Sequence, residues 1–399
     1  MLLLDRIKKQ YILRKWRKVQ KRDRTLGLKM HNPVAFFSDM DNAGIDYVVL
    51  RWPEDVPSTD EQELNFTQDI DVLANISKKN LSILADIAVR HEGRVCCDLY
   101  SASGRCSSYL GMPYYPPILA RQIIESRCRH PKGFYVPDPL NAFLSFAFHL
   151  VYHKGPACGV PTGCDMEASA SPKRDYNKRI EELGTAVNAD IEPPYSLFKL
   201  HLFLKRNLWN MPYDLLERWP ANSQWHEFLL KYERGLLEPW AKRLPGLLVF
   251  FVRQDAANSE SLNFIQKHLS EKFQIVRTQL LSDEQSQRVI RLVRGGNWNQ
   301  GPDLELVRPS VAIYAYDHNP VSMDNSDEQR KKSYPHVRNS NVFVKQHIRE
   351  LLNGNSDNGE VYGLHGSDNE FEAQHMLNAI YGSRADEINN QLLLDIKKP

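Results

Sequence analysis

No stretch of this chain approaches the 18 or more uncharged apolar residues that a membrane-crossing helix requires, so a protein integral to a membrane is not expected. Cysteine is scarce and unpatterned. Cys96, Cys97, Cys106, Cys128, Cys158 and Cys164 include no C-x-x-C pair, and no secretory signal precedes them, which argues for a reducing, cytoplasmic setting without a disulfide framework. The sequence has no internal repeats and no recognised nucleic-acid motif. What it does have is an ordinary globular composition: 42% hydrophobic and 25% charged residues over 399 positions predict two or three domains with sizeable cores.

Charge is the first feature that is present, and it is uneven. Residues 1–30 hold eleven Lys or Arg against Asp5 and Asp23, a surplus of +9, which leaves −7 for the rest of a chain whose net charge is +2. Leu3, Leu4, Ile7, Tyr11, Ile12, Trp16 and Val19 recur there at helical spacing. Such a basic amphipathic helix suits an anionic leaflet, which would place the protein on the inner face of the membrane as a peripheral component. Nucleic acid, the other usual partner of a basic arm, finds no support in the acidic remainder. A helix packed on the protein's own acidic surface is the plainer alternative.

The densest chemical signal is Gln68-Asp69-Ile70-Asp71-Val72-Leu73-Ala74, two carboxylates one residue apart in an apolar run of strand formers. On a strand, residues i and i+2 share a face, so Asp69 and Asp71 lie together while Ile70 and Val72 are buried opposite. Like charges held so close need something positive between them, and Mg2+, which takes few carboxylates and keeps positions for water and phosphates, is the natural candidate. After a helical segment built on Leu81, Leu84, Ala85 and Ala88, the strand Arg94–Tyr100 brings a third acid, Asp98. Upstream, Ile45–Arg51 reads as the preceding strand, with Arg51 at its end placed for a phosphate.

Strand, long loop, D-x-D strand, helix and acidic strand in this order resemble the nucleotidyltransferase superfamily, in particular the members associated with bacterial surface-polysaccharide genes. The resemblance covers roughly residues 31–165. It departs from the superfamily where a Gly-Ser pair usually follows the first strand; here the residues are Arg51-Trp52-Pro53. The resemblance implies a nucleotidyltransferase fold and a Mg2+-dependent transferase, with Asp69, Asp71 and Asp98 as metal ligands and catalytic acids. It further implies a nucleoside triphosphate donor and a saccharide, free or lipid-linked, as hydroxyl acceptor. The helix begun by Asp138-Pro139 ends at His153-Lys154-Gly155, as a similar helix does in these relatives, and Lys154 is a candidate phosphate ligand; a helix dipole accounts for a C-terminal lysine equally well. His149, His153, Cys158 and Cys164 can be read as a zinc set, although their spacing matches no standard structural site. A helix edge followed by a flexible loop explains them as well.

Beyond a Gly/Pro/Ala/Ser stretch at 159–172, helices are expected around 173–187, 195–208, 212–219 and 222–243 as a helical connector. After Pro245-Gly246 the continuous apolar run Leu247–Val252 predicts a central strand buried on both faces. Further strands are expected at Phe273–Leu280 and Ser310–Tyr316, with helices over Ser259–Lys272, after a capping box at Ser282 to Gln285 and stopped by Gly295-Gly296, and over Phe371–Tyr381. The alternation predicts a ferredoxin-like sandwich.

His365-Gly366-Ser367-Asp368 before that last helix resembles the signature of nucleoside diphosphate kinases, over roughly residues 246–385. By that resemblance His365 is a candidate nucleophile, Ser367 its close partner, and Arg253 and Arg349 candidate phosphate ligands, with a small insertion at 353–359. Arg253 stands where the family has a Lys, Tyr362 where it has an Asn, and Met376 where a Glu orients the His. Phosphotransfer through His365 and a non-catalytic, nucleotide-binding scaffold of a membrane-bound assembly therefore both stay open as alternatives to the transferase reading. The expected α+β architecture is a basic arm at 1–30, a nucleotidyltransferase-like domain at 31–165, a helical connector at 166–245, a nucleoside diphosphate kinase-like domain at 246–385 and a tail at 386–399.

Overall fold

The structure is a computed structural model that describes residues 3–22, 24–57, 69–77, 79–104, 106–109, 111–220, 223–293, 298–300, 305–323, 328–354 and 363–397. Gln68, Gly295, Gly296, Val361, Tyr362 and the 355–359 part of the expected insertion lie outside the described residues. The chain is mixed α+β and divides into two compact units. Met1–Met211 with Trp219–Trp225 make one, and Pro212–Arg218 with His226–Pro399 the other.

In the first unit, helix α1 (Leu3–Gln20) leads into strand β1 (Leu26–Met30), helix α2 (Pro33–Asn42) and strand β2 (Tyr47–Leu50). Strand β3 (Ile70–Ala74), helix α3 (Leu81–Arg90) and strand β4 (Val95–Ser101) follow. The sheet order is β1-β4-β3-β2; β3 and β4 run parallel, as the α3 crossover permits, and the other pairs are antiparallel. Alternation assigns the faces. Leu26 and Leu28 of β1, Ile70 and Val72 of β3, and Cys97 and Leu99 of β4 join Phe36 and Phe37 of α2, Leu84 of α3 and Trp16 of α1 in one core. Each large side chain so buried contributes roughly 1.5–3 kcal/mol.

Strand β1 was not expected, since it falls inside the segment read as a basic arm. Its alternating burial rests on only three apolar residues, with Gly27 and Lys29 between them, and the charge run hides so short an alternation. Asp138 caps helix α5 (Pro139–Phe148), which follows helix α4 (Pro117–Glu125), by accepting the Asn141 amide at 2.9 Å. The expected continuation to Lys154 is a wider, π-helical turn, His149–Lys154. It stops at Gly155, whose φ of +55° and neighbouring Trp225 ring, 3.1 Å from where a Cβ would stand, leave room for glycine alone. Helices Tyr176–Ala186 and Leu197–Arg206 complete the unit.

The second unit is built on an antiparallel sheet of β7 (Leu247–Arg253), β8 (Gln274–Leu280), β11 (Pro309–Tyr316) and β12 (Leu364–Gly366) in the order β12-β7-β11-β8. Ribbons β5 (Cys128–Arg129) with β6 (Tyr135–Val136) in the first unit, and β9 (Asn299–Gln300) with β10 (Glu305–Leu306) here, stand apart from the main sheets. By order of appearance the four main strands stand 4-1-3-2. Strand β7 is buried along its whole length, as its apolar run predicts. Ile265 and Leu269 of helix Ser259–Ser270 and Ile348 of helix Val344–Gly354 pack on Phe250, Val252 and Ile313. The capping box at Ser282 forms, with the Gln285 amide donating to Ser282 Oγ at 3.2 Å and the Ser282 amide to Gln285 Oε1 at 3.0 Å. That helix ends at Leu292, ahead of the glycine pair, because Val293 is already extended. Residues expected as a tail lie largely in helix Ala385–Ile396, with Ile388 and Leu392 buried.

Candidate active site

Asp71 and Asp98 stand opposite one another across the parallel β3–β4 pair, and Leu50, the last residue of β2, pairs with Asp71 from the other side. Arg51 therefore leaves β2 beside the carboxylates. Arg51 and Trp52 both take left-handed backbone angles, φ +46° and +44°, each costing roughly 1–3 kcal/mol for a non-glycine residue. The turn aims the guanidinium back into the sheet. Arg51 Nε donates to Asp71 Oδ2 at 3.1 Å and its Nη2 pairs with Asp71 Oδ1, while Nη1 donates to the Tyr114 hydroxyl at 3.0 Å. Tyr100 Oη adds a bond to Asp71 Oδ1 at 3.0 Å.

The positive charge that the paired carboxylates need is thus supplied, at Asp71, by the chain itself. This changes the expected role of Arg51: it holds Asp71, where the sequence placed it for a phosphate. Burial opposes the Arg51 charge, but Asp71 and the surrounding tyrosines hold its pKa well above the ordinary value. Among the described residues Asp98 has no such ion pair. Burial, and then the charges of Asp71 and Asp69, push its pKa up to about 6. Burial and the neighbouring Arg51 keep His149 neutral, its pKa well below the usual imidazole range, and its Nδ1 lies 2.5 Å from Tyr114 Oη.

These groups line one cavity of about 440 Å3. Asp69, Asp71 and Asp98 are its carboxylates, and Arg51, Lys154, Lys173 and Arg174 its cations. Tyr100, Tyr109, Tyr114 and Tyr176 supply aromatic wall. Lys173, Arg174 and Tyr176 had not been assigned to the site, and His149 only to the zinc alternative. The only signal for Arg174 was its place after the flexible stretch, and its guanidinium, 4.5 Å from the Trp52 ring centre, is paired with Asp55 at 2.6 Å. Among the described residues, no group of three or more His, Cys, Asp or Glu side chains stands ready-gathered around a metal position. Of the zinc alternative's members, His149 and His153 lie against Tyr114, with His153 Nε2 2.8 Å from its carbonyl, and burial pushes the Cys158 thiol up to about 11. Asp69 and Asp98, with Asp71 already paired to Arg51, are oxygen donors of the kind that Mg2+ takes.

The second set of candidates is buried except for Arg349, which is half-buried. His365 pairs with Phe251 across β12 and β7 and is 7% exposed, with the Trp298 ring edge-on at 5.8 Å. Arg253 Nη2 donates to the Trp298 carbonyl at 2.8 Å. Ser367 Oγ accepts the Val249 amide at 3.1 Å, and Arg349 Nε donates to the Leu364 carbonyl at 2.6 Å. Arg253 ends the inner strand β7, Ser367 follows the edge strand β12 and Arg349 lies on helix Val344–Gly354; all three are engaged with backbone. The polar cluster beside them was not foreseen: Lys345 donates to the Gly366 carbonyl at 2.8 Å and pairs with Asp368, and Arg218 bridges Asp368 and Glu372 at 2.7 and 3.3 Å. Burial raises Glu372 to about 8.

Comparisons of the chain with protein-family profiles, with curated proteins and with solved structures return no match.

Proposed function

We propose that the first unit is a nucleotidyltransferase of the superfamily its motifs resemble, moving a nucleotidyl group from a nucleoside triphosphate to an acceptor hydroxyl, with a saccharide as the acceptor class. One observation carries the reading: three carboxylates at and beside the β3–β4 pair and four cationic side chains, among them Arg51 already paired with Asp71, line a single cavity of about 440 Å3. That is the charge pattern a metal–triphosphate complex needs. Asp69 and Asp98, with Asp71, would hold Mg2+, which when bound neutralises phosphate charge and orients the reacting groups.

The chain's own residues account for the rest. Lys154, Lys173 and Arg174 attract and orient the triphosphate, and the tyrosine wall gives a base a face to stack on. Asp98, on the same cavity, is the carboxylate to which the acceptor's proton would pass. The 4-1-3-2 antiparallel order supports a ferredoxin-like reading of the second unit. We read that unit as non-catalytic, because His365 lies beneath Trp298 and Arg253 is committed to a carbonyl.

The test is incubation with each of the four α-labelled nucleoside triphosphates, Mg2+ and a panel of saccharides and saccharide phosphates. Labelled product with release of pyrophosphate is expected, reduced at least a hundredfold in Asp98→Asn. Transfer that survives chelation of the metal, or that is unchanged in Asp98→Asn, contradicts the reading.

A further inference from the structure

A second cavity, of about 350 Å3, shares Asp69 and Asp98 with the first. Its lining is of another kind. Tyr11, Ile12 and Trp16 of α1, Leu28 of β1 and Val89 of α3 make an apolar wall, while Lys8, Lys15 and Lys29 bring positive charge. Lys8 is paired with Glu92 at 2.6 Å, whereas Lys15 and Lys29 have no ion pair among the described residues. Gly27 sits opposite Asp98 in the β1–β4 register, and a Cβ there would meet no atom within 4 Å. The missing side chain keeps the groove open at the carboxylate end. At the other end Leu4 and Ile7 continue the α1 stripe one turn beyond Lys8 and Tyr11, and they are 69% and 58% exposed.

We infer that this groove takes a phosphate-bearing amphiphile and is the acceptor site of the first unit. The hydrocarbon part lies along Tyr11, Ile12 and the exposed Leu4–Ile7 stripe, where apolar contact gains about 25 cal/mol per Å2 removed from water. The phosphate is held by Lys15 and Lys29. A hydroxyl beyond the phosphate reaches Asp98 through the gap at Gly27. Its role as acceptor site rests on the transferase reading, while the ligand class rests on the groove alone. In the transfer, the acceptor oxygen bonds to the α-phosphorus of the triphosphate, the bond from that phosphorus to the bridging oxygen breaks, pyrophosphate leaves, and the hydroxyl proton passes to Asp98. Two substrates of opposite character thus meet at shared carboxylates, each from its own cavity.

The experiment is calorimetric titration of the full chain with dodecyl phosphate below its micelle concentration, with neutral octyl glucoside as comparison. Saturable binding of dodecyl phosphate is expected, at least tenfold tighter than octyl glucoside. It should weaken tenfold or more in Gly27→Leu, which fills the gap, and likewise in the double variant Lys15→Glu with Lys29→Glu, whose exposed positions leave folding undisturbed. No saturable binding, or unaltered affinity in the charge-reversed protein, overturns the proposal. Because no nucleotide is present, a negative result here leaves the transferase reading intact, and absent nucleotide binding leaves the groove's ligand class intact.

Discussion

Arg51 and Asp71 form a pair whose side chains are 6% and 20% exposed, so either partner alone becomes an uncompensated charge in a poorly solvated place. Asp71→Asn is expected to destabilise the first unit by roughly 3–5 kcal/mol as well as to impair transfer, a loss visible as an earlier thermal unfolding transition. Asp69→Asn, at an exposed position, should impair transfer while leaving that transition in place. Asp98 makes a prediction of the other sign. Its folded pKa near 6 lies above the unfolded value, so its contribution to stability is fully present below about pH 4 and is lost as pH rises through about 6. Mg2+ requires the ionised carboxylate, so its affinity should rise over the same interval and level off above it. Titrating Mg2+ between pH 5 and 8 measures this, and a flat profile would remove Asp98 from the ligand set. At this scale the three acids were legible because a two-residue period places them without knowledge of the fold. The bond from Arg51 to Asp71 was not, since it depends on two consecutive left-handed residues that no local pattern announces.

Helix α1 and strand β1 act together, the helix anchored through Trp16 and the strand closing the sheet beside β4. Trp16 is 2% exposed, and Trp16→Ala should cost roughly 3–5 kcal/mol, read as a lowered denaturant midpoint. Truncation through residue 30 is an unsuitable test of membrane attachment, since it removes β1 and its three buried side chains along with the basic helix. Leu4→Glu with Ile7→Glu changes only exposed positions and isolates the question. If α1 lies on an anionic surface, sedimentation with phosphatidylserine vesicles should fall at least fivefold in this variant and weaken with salt. Equal sedimentation of both proteins would make α1 a packing element alone. No helix among the described residues is long and apolar enough to cross a membrane. Most helices were visible from apolar spacing and caps, as at Asp138 and Ser282. Strand β1 and the π-helical turn escaped because each is fixed by tertiary partners, β4 in one case and Trp225 in the other.

At the scale of the whole chain, two units carry two nucleotide-like motifs, but they differ in how their candidate groups are placed. The first unit brings its acids and cations onto the lining of one cavity, whereas the second sets His365 against Trp298 and ties Arg253, Arg349 and Ser367 to main-chain groups. Motif spacing could not distinguish these situations, because Trp298 approaches His365 from 67 residues away in sequence. Incubation with a γ-labelled triphosphate and Mg2+ should accordingly leave His365 unlabelled, and rapid stoichiometric labelling lost in His365→Ala would reverse the assignment of roles. As proposed, the first unit couples nucleotide binding to the metal. Calorimetric titration of a nucleoside triphosphate with and without Mg2+, in the native chain and in Asp69→Asn, measures it. At least tenfold tighter binding with Mg2+ in the native chain, with most of that gain lost in Asp69→Asn, is the predicted result; affinity indifferent to Mg2+ in both proteins would contradict it.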